Sequence, residues 1–219
     1  MSETNTQRLI LPFDRQVLLS GYKTAICTRM YGYVHYGLDI ASRGDNTVHA
    51  SGDGIVLCAG QDRLFGGALV ILYPDCKALG GQVCTLAARY MHLREVLVRS
   101  GERVVRGMPV AVEGSAGTGE QHLHLELDAD TSCPFCTPQV GFSHTFWHMG
   151  RDSTVDPSLW LSAAPGQAIL PTPVDPEWLG FSAAALQDKK IAGYAEGMDI
   201  VKTIYVPNKL INFILKPRK

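Results

Sequence analysis

The sequence lacks both an excess of charge of one sign and a long apolar run. Its 219 residues include 20 Lys or Arg and 21 Asp or Glu, which gives a formal net charge of −1. A nearly neutral chain offers no broad basic surface, so we expect no nucleic-acid partner. No stretch reaches the roughly 18 continuous apolar residues of a membrane-spanning helix, so we also expect no membrane span.

Three recognisable sequence signals are missing as well. The glycine-rich stretch EGSAGTGEQ lacks the GK[ST] ending of a phosphate-binding loop, so it is better interpreted as a flexible turn before the next strand. The HExxH motif, which supplies a glutamate base in many zinc proteases, is absent. The opening MSETNTQRLILPFDR has no basic segment followed by an apolar one, so it is not a secretory signal peptide as written.

The six cysteines leave their oxidation state open. Cys76 and Cys84 flank KALGGQV between two apolar runs, where a disulfide is geometrically reasonable in an oxidising compartment. Cys133 and Cys136 form a CxxC motif, which also occurs in redox pairs and in zinc sites. No βαβ pattern and no second CxxC accompany it, so a structural or incidental role is favoured.

Glycine and proline divide the chain into short apolar runs. The 22 glycines and 12 prolines predict many turns. Between residues 31 and 128 the runs are too short for helices and end at turn residues, which is typical of an antiparallel sandwich or barrel-like fold. Residues 163–177 are Pro-rich and indicate a linker or arm, and residues 178–219 are short for an independent domain.

The stretch HLHLEL places two imidazoles on one face of a predicted strand. Residues two apart on a strand point the same way, so His122, His124 and Glu126 share a face while the intervening leucines face the core. Upstream, HYGLD places His35 and Asp39 four apart, which again gives one common face in an extended segment.

These residue types suit a catalytic zinc site. Two histidines and one carboxylate, with a water in the fourth position, form an open site, whereas structural zinc sites are closed by four protein ligands. His124 is the natural third ligand beside His35 and Asp39. His92, in ARYMHL, ends another apolar strand and fits the same ordered set.

Taken in order, these motifs resemble those of the lysostaphin/LytM-type zinc endopeptidases of peptidoglycan. The matching stretches are HYGLDIAS, VHASGDGIVLCAG, RYMHL, GERVVRGMPVAVEGSAGTGEQHLHLEL and VDPSLWL. The resemblance implies a mainly β fold, in which antiparallel sheets form a compact LytM-like domain (a duplicated hybrid motif) with an open substrate groove. We divide the chain into this domain over 8–162, a linker or arm over 163–177, and a C-terminal extension over 178–219 that packs on the main domain.

The family's functional residues carry over to matching positions of this sequence. The resemblance implies that one zinc ion is held by His35, Asp39 and His124. It implies that His92 and His122 are catalytic without binding the metal, and which of the two is the general base stays open.

Glu126 shares the histidine face, and we expect it to orient a zinc ligand from a second layer of the site.

The implied activity is a zinc-dependent endopeptidase that hydrolyses peptide bonds of peptidoglycan, in stem-peptide cross-links or interpeptide bridges, by metal-activated water. The expected partners are peptidoglycan peptides, the expected place of action is extracellular or in the cell wall, and the oligomeric state stays open. With no signal peptide in the sequence, a removed leader, a phage-type route or another export route is required.

Two other functional classes are alternatives. A catalytically silent cell-wall-binding or amidase-activating module of the same fold is expected to lack a metal ligand, whereas all three are present here. A carrier or phosphotransfer module would need facing histidines without a carboxylate, so the HxxxD pairing disfavours it. The hairpin at Cys76 and Cys84, the long loop 129–155 and the segment beyond about 165 depart from the family pattern, which leaves substrate preference open.

Overall fold

The computed structural model describes residues 6–137, 147–148, 152–171, 176–179, 193–206 and 210–218. Most regular structure in these residues is strand, which confirms the mainly β fold class. In chain order the strands are β1 (Leu9–Ile10), β2 (Arg15–Ser20), β3 (Leu38–Ser42), β4 (Thr47–His49), β5 (Gly54–Asp62), β6 (Gly66–Lys77), β7 (Val83–Leu93), β8 (Glu95–Val96), β9 (Arg103–Val104), β10 (Pro109–Val112), β11 (Leu123–Asp128), β12 (Cys136–Thr137), β13 (Trp147–His148), β14 (Thr154–Val155), β15 (Leu161–Ser162), β16 (Ala168–Ile169), β17 (Met198–Val206) and β18 (Leu210–Pro217).

Helical segments in the same residues include α1 (Ala25–Tyr31), a 3-10 helix (Pro157–Leu159) and α2 (Pro176–Leu179). Across the described ranges, no helix has the length and apolar character needed to span a bilayer.

One large sheet organises the described part of the chain. Its strand order is β16-β2-β3-β11-β7-β6-β5-β9, with β14 pairing beside β11. The pairs are antiparallel except for the parallel pair of β16 with β2. Strands β5, β6 and β7 follow one another as hairpins, while β11 returns from far along the chain to lie between β3 and β7. That insertion brings the motifs of three distant sequence segments side by side.

The described residues also form four smaller sheets. Strands β4, β10 and β8 form a three-stranded sheet, and β1 pairs in parallel with β15. The pairs β12–β13 and β17–β18 form two further sheets.

The core lies on one face of the large sheet, as the alternation of HLHLEL predicts. Leu123, Leu125 and Leu127 are fully buried in the main apolar cluster. Leu69 and Ile71 of β6 join the same cluster, whereas Val70 between them belongs to a second, smaller cluster. The sheet therefore has an apolar inner face and a second face that is free to carry polar chemistry.

Helix α1 is the element that the sequence pattern did not predict. It has seven residues, of which only Cys27 is buried, so it shows too little apolar periodicity to be recognised. It ends at Gly32, whose φ of 75° suits a residue without a Cβ.

The division into 8–162, 163–177 and 178–219 stays a prediction. Within the Pro-rich segment, β16 pairs with β2 of the main sheet. Beyond it, Leu179 of α2 is buried in the main apolar cluster. Much of the loop 129–155, including His144, lies outside the described residues.

The cysteines of the β6–β7 hairpin lie opposite each other. Cys76 and Cys84 are partners in the strand register, and both are free thiols. A disulfide between them in an oxidising compartment stays a prediction. Cys133 of the CxxC motif is disulfide-bonded.

We predict that Ile71→Ala lowers the free energy of unfolding by about 2–5 kcal/mol, because it leaves a cavity in a fully buried site. Leu97→Ala, at a side chain that is 46% exposed, serves as the control and should change stability by only about 0.5 kcal/mol. Urea unfolding monitored by circular dichroism measures both. Equal losses would contradict the assignment of the core to this face of the sheet.

Candidate active site

Strand β11 brings the candidate ligands together through its two neighbours. His124 lies directly opposite Asp39 of β3 on one side and Met91 of β7 on the other. Directly opposite residues in an antiparallel pair have Cβ atoms about 4.5–5.5 Å apart, so their side chains meet on the same face. His35 approaches from the irregular segment before β3.

Three donor atoms converge on one point. Nε2 of His35 lies 3.0 Å from Oδ1 of Asp39 and 3.1 Å from Nδ1 of His124, and this Nδ1 lies 2.8 Å from the same Oδ1. The His35 and His124 side chains are almost completely buried, whereas the Asp39 side chain is 19% exposed. Among the three side chains, the carboxylate is therefore the most accessible to solvent.

Hydrogen bonds at the outer nitrogens orient both histidine rings. Nδ1 of His35 donates to the carbonyl of Gly21 at 2.8 Å, and Nε2 of His124 donates to Glu126 Oε1 at 3.2 Å. In each neutral ring the inner nitrogen then carries the lone pair, which is the form that binds a metal. This pattern of an outer acceptor behind a ligating histidine is typical of metal sites.

The electrostatics of the cluster favour a cation. Burial opposes charge on Asp39, but the neighbouring His35 and the hydrogen bond from His124 hold the pKa of Asp39 well below its usual range. Burial also opposes charge on His124, yet hydrogen bonds to Asp39 and Glu126 raise its pKa to about 9. A metal ion that binds here must displace the proton on Nδ1 of His124, so binding weakens as pH falls.

The donor set fits zinc. Ligands of a tetrahedral zinc site at bond lengths of about 2.0–2.1 Å lie about 3.3 Å apart, close to the separations of these three atoms. Two imidazoles and one carboxylate are also a ligand type that catalytic zinc sites use, with the fourth position left for water. His35, Asp39 and His124 are thus the residues that could hold the ion.

Gly37 makes room for this arrangement. A Cβ on Gly37 would lie 2.5 Å from the carbonyl oxygen of Leu125 and 2.9 Å from Nε2 of His124. Any side chain at residue 37 would push against β11 and the ligand ring.

His92 and His122 lie beside the three candidate ligands. Nδ1 of His92 donates to the carbonyl of Ala116 at 2.7 Å, and Nδ1 of His122 donates to the carbonyl of Glu120 at 3.0 Å. Each ring therefore presents Nε2 as its available nitrogen, and Nε2 of His122 lies 3.6 Å from Oδ1 of Asp39. The two ring centroids are 5.0 Å apart.

The backbone of His92 is in the left-handed region, with φ of 63°. Such a conformation costs about 1–3 kcal/mol and commonly occurs at functional sites. Burial, and then the charges of His124 and His122, lower the pKa of His92 to about 4. The ring is therefore neutral at pH 7 and able to accept a proton.

Glu126 is completely buried and lies behind His124, where it accepts the hydrogen bond from Nε2. Arg89 of β7 lies directly opposite it and pairs with its other oxygen, Oε2, at 2.7 Å. Sequence analysis missed Arg89, although an arginine within the apolar run TLAARYMHL is a signal that could have identified it.

A groove of about 960 Å³ contains His35, His92, His122 and His124, and this volume is ordinary for a ligand site. Aromatic residues form one wall: Tyr31 stacks on Tyr33 at 5.7 Å between ring centroids, and Trp178 of α2 lies 5.9 Å from Tyr31. The glycine-rich loop 117–120 and Leu64 lie on other parts of the wall. Sequence analysis missed this aromatic wall because its members come from segments far apart in the chain.

Residues 33–133 match the model of Peptidase family M23. The match confirms the resemblance to the lysostaphin/LytM-type endopeptidases that the motifs predict. The matched range contains all three candidate ligands and both neighbouring histidines, whereas Tyr31 and Trp178 lie outside it.

Curated relatives match over a similar range. Peptidoglycan DD-endopeptidase ShyA of Vibrio cholerae is 35% identical over 95 residues, which cover 42% of this chain and 20% of the relative. Murein hydrolase activator NlpD of Escherichia coli is 32% identical over 92 residues, which cover 42% of this chain and 22% of the relative. The chain spans about a fifth of the length of the curated relatives it matches.

Among solved structures, the antimicrobial peptidase lysostaphin from Staphylococcus simulans aligns with a TM-score of 0.46 and 24% identity, over 72% of this chain and 55% of that chain.

We predict that Gly37→Ala weakens zinc binding by about 10-fold or more, because the added methyl group displaces the His124 ring. The matched control is Gly60→Ala on β5, where a Cβ would meet nothing within 4 Å. Competition with a coloured zinc chelator measures both affinities. Indistinguishable zinc affinities in the two variants would contradict the role of the close approach at Gly37.

Proposed function

We propose that this chain, whose residues 33–133 match Peptidase family M23, is a zinc-dependent endopeptidase that hydrolyses peptide bonds of peptidoglycan. The observation that carries the proposal is the convergence of His35 Nε2, Asp39 Oδ1 and His124 Nδ1 beside two further imidazoles. The DD-endopeptidase relative supports the substrate class, since its own name specifies peptidoglycan. The proposed place of action is the cell wall.

Each residue has a chemical task in this proposal. His35, Asp39 and His124 hold the zinc ion. When bound there, zinc would supply a water with a pKa lowered to about 7 and would polarise the scissile carbonyl. Gly21 and Glu126 keep the two ligand rings oriented through the hydrogen bonds at their outer nitrogens.

His92 and His122 handle protons. Both present Nε2 beside the ligands, because both Nδ1 atoms are engaged by backbone carbonyls. One ring accepts the proton of the attacking water on its Nε2, and the other, in its protonated form, donates from Nε2 a hydrogen bond to the developing oxyanion or a proton to the leaving amine. Because each ring presents the same nitrogen, the order of these two tasks stays open.

The second candidate function is a catalytically silent module that binds the cell wall or activates an amidase. The similarity to the murein hydrolase activator of Escherichia coli favours it. Against it, the chain has the three candidate ligands and both proton-handling histidines in a single groove. A silent module has no need to keep them together, so the enzyme is the better proposal.

We predict that the protein releases new amines from purified peptidoglycan, that removing zinc with a chelator abolishes this release, and that added zinc restores it. Labelling the new amine and identifying its residue would name the bond that is cut. Walls with several cross-link types should be tested in parallel. If the zinc-loaded protein released no amine from any of them, the silent module would replace the enzyme as the proposed function.

We also predict that His124→Ala and Asp39→Ala lose both zinc and amine release, because each removes a ligand. His92→Ala should keep zinc and lose amine release, because its ring handles protons and not the metal. His49→Ala, at a histidine of β4 whose Nδ1 lies 3.3 Å from the carbonyl of Pro12, is the matched control and should keep both. Loss of zinc in His92→Ala together with retention in His35→Ala would overturn the assignment.

A further inference from the structure

A buried cluster of three charges lies behind the candidate ligands. Arg89 of β7 and Glu126 and Asp128 of β11 have side chains that are at most 3% exposed. Nε of Arg89 donates to Glu126 at 2.7 Å, and Nη2 donates to Asp128 at 2.9 Å. Burial of charge opposes folding, and apolar residues of similar volume often stabilise a core as well or better. The cluster therefore calls for a role beyond stability.

The geometry joins this cluster to the candidate ligands through a single carboxylate. Oε1 of Glu126 accepts the hydrogen bond from His124, while Oε2 accepts the one from Arg89. Arg89 holds the carboxylate by one edge, so the other edge stays aimed at the histidine ring. The register adds to this constraint because Arg89 is the direct cross-strand partner of Glu126.

Arg89 itself is held in place. Its third contact runs from Nη1 to the carbonyl of Pro134 at 3.3 Å, in the loop that carries the disulfide-bonded Cys133. Phe135 of this loop packs against the apolar residues Val70 and Met91 on the same face of the sheet. The guanidinium thus uses its planar fork to reach two carboxylates and a carbonyl, an arrangement that a lysine cannot reproduce.

We propose that Arg89 is a positioning residue for the metal centre, which acts on the ligand His124 through Glu126. Arg89 fixes the Glu126 carboxylate in place and neutralises its charge. The carboxylate then keeps Nε2 of His124 as the donor and directs Nδ1 toward His35 and Asp39. The inference rests on the proposed function, because it takes these three residues to be zinc ligands.

The test is a double-mutant cycle on zinc affinity. Arg89→Lys, Glu126→Gln and the double variant are compared with the unaltered protein by chelator competition at fixed pH. Each single variant should bind zinc about 10–100-fold more weakly, the usual effect of losing such an outer partner. The double variant should be no weaker than Glu126→Gln alone, because Arg89 acts only through that carboxylate.

Controls separate positioning from loss of structure. Tyr73→Phe removes a buried hydroxyl that bonds Tyr90 in the core on the opposite face of the sheet, and it should leave zinc affinity unchanged. Urea unfolding identifies the conditions in which every variant is folded. If Arg89→Lys does not fold, Arg89→Gln combined with Asp128→Asn replaces the second ion pair by neutral amides, and it should show the same loss of zinc affinity.

Two results would overturn the inference: unchanged zinc affinity in a folded Arg89 variant, or losses that add in the double variant. The absorption spectrum of the cobalt-substituted protein gives a second readout, which should change in Arg89→Lys and not in Tyr73→Phe. Failure of the proposed function can be distinguished from failure of this inference. Zinc binding that depends on Arg89 without cleavage of any peptidoglycan would reject the endopeptidase and support the inference. Cleavage of peptidoglycan together with a zinc affinity that does not depend on Arg89 would support the endopeptidase and reject the inference.

Discussion

The position and register of β11 between β3 and β7 is the constraint on which the rest of the structure depends. This register sets His124 opposite Asp39 on one side and Glu126 opposite Arg89 on the other. A slip by one residue would turn every side chain of β11 to the opposite face, so His124 and Glu126 would enter the core. The three leucines that alternate with them oppose such a slip, because each contributes about 1.5–3 kcal/mol when fully buried.

The polar face of the same strand is unfavourable for stability. Glu126 is fully buried and His124 and Asp128 nearly so, and the effective penalty for a buried ion is several kcal/mol before any pairing. Arg89 offsets part of this penalty through two charge-assisted hydrogen bonds. The apolar face supplies the stability that offsets this penalty, and the polar face keeps the ring of the candidate ligand His124 in one orientation.

The groove combines residues inside the range that matches the family with residues outside it. The five histidine and aspartate side chains lie within residues 33–133. The aromatic wall includes Tyr31 and Trp178 from outside this range, and Trp178 belongs to the segment beyond residue 165 that departs from the family pattern. This wall therefore depends on residues that the match to the family does not include.

The sequence by itself determined the mainly β class, the two faces of HLHLEL, and the set of residues that the structure brings together. These are local properties, since strand alternation and ligand chemistry depend on residue type and on spacing of two or four positions. It did not reveal Arg89 behind Glu126, the helix α1, or the aromatic wall. Those features depend on which strands become neighbours and in what register, and that choice is made by packing between segments far apart in the chain. Arg89 and Glu126, 37 positions apart, meet only because the folded sheet places them opposite each other.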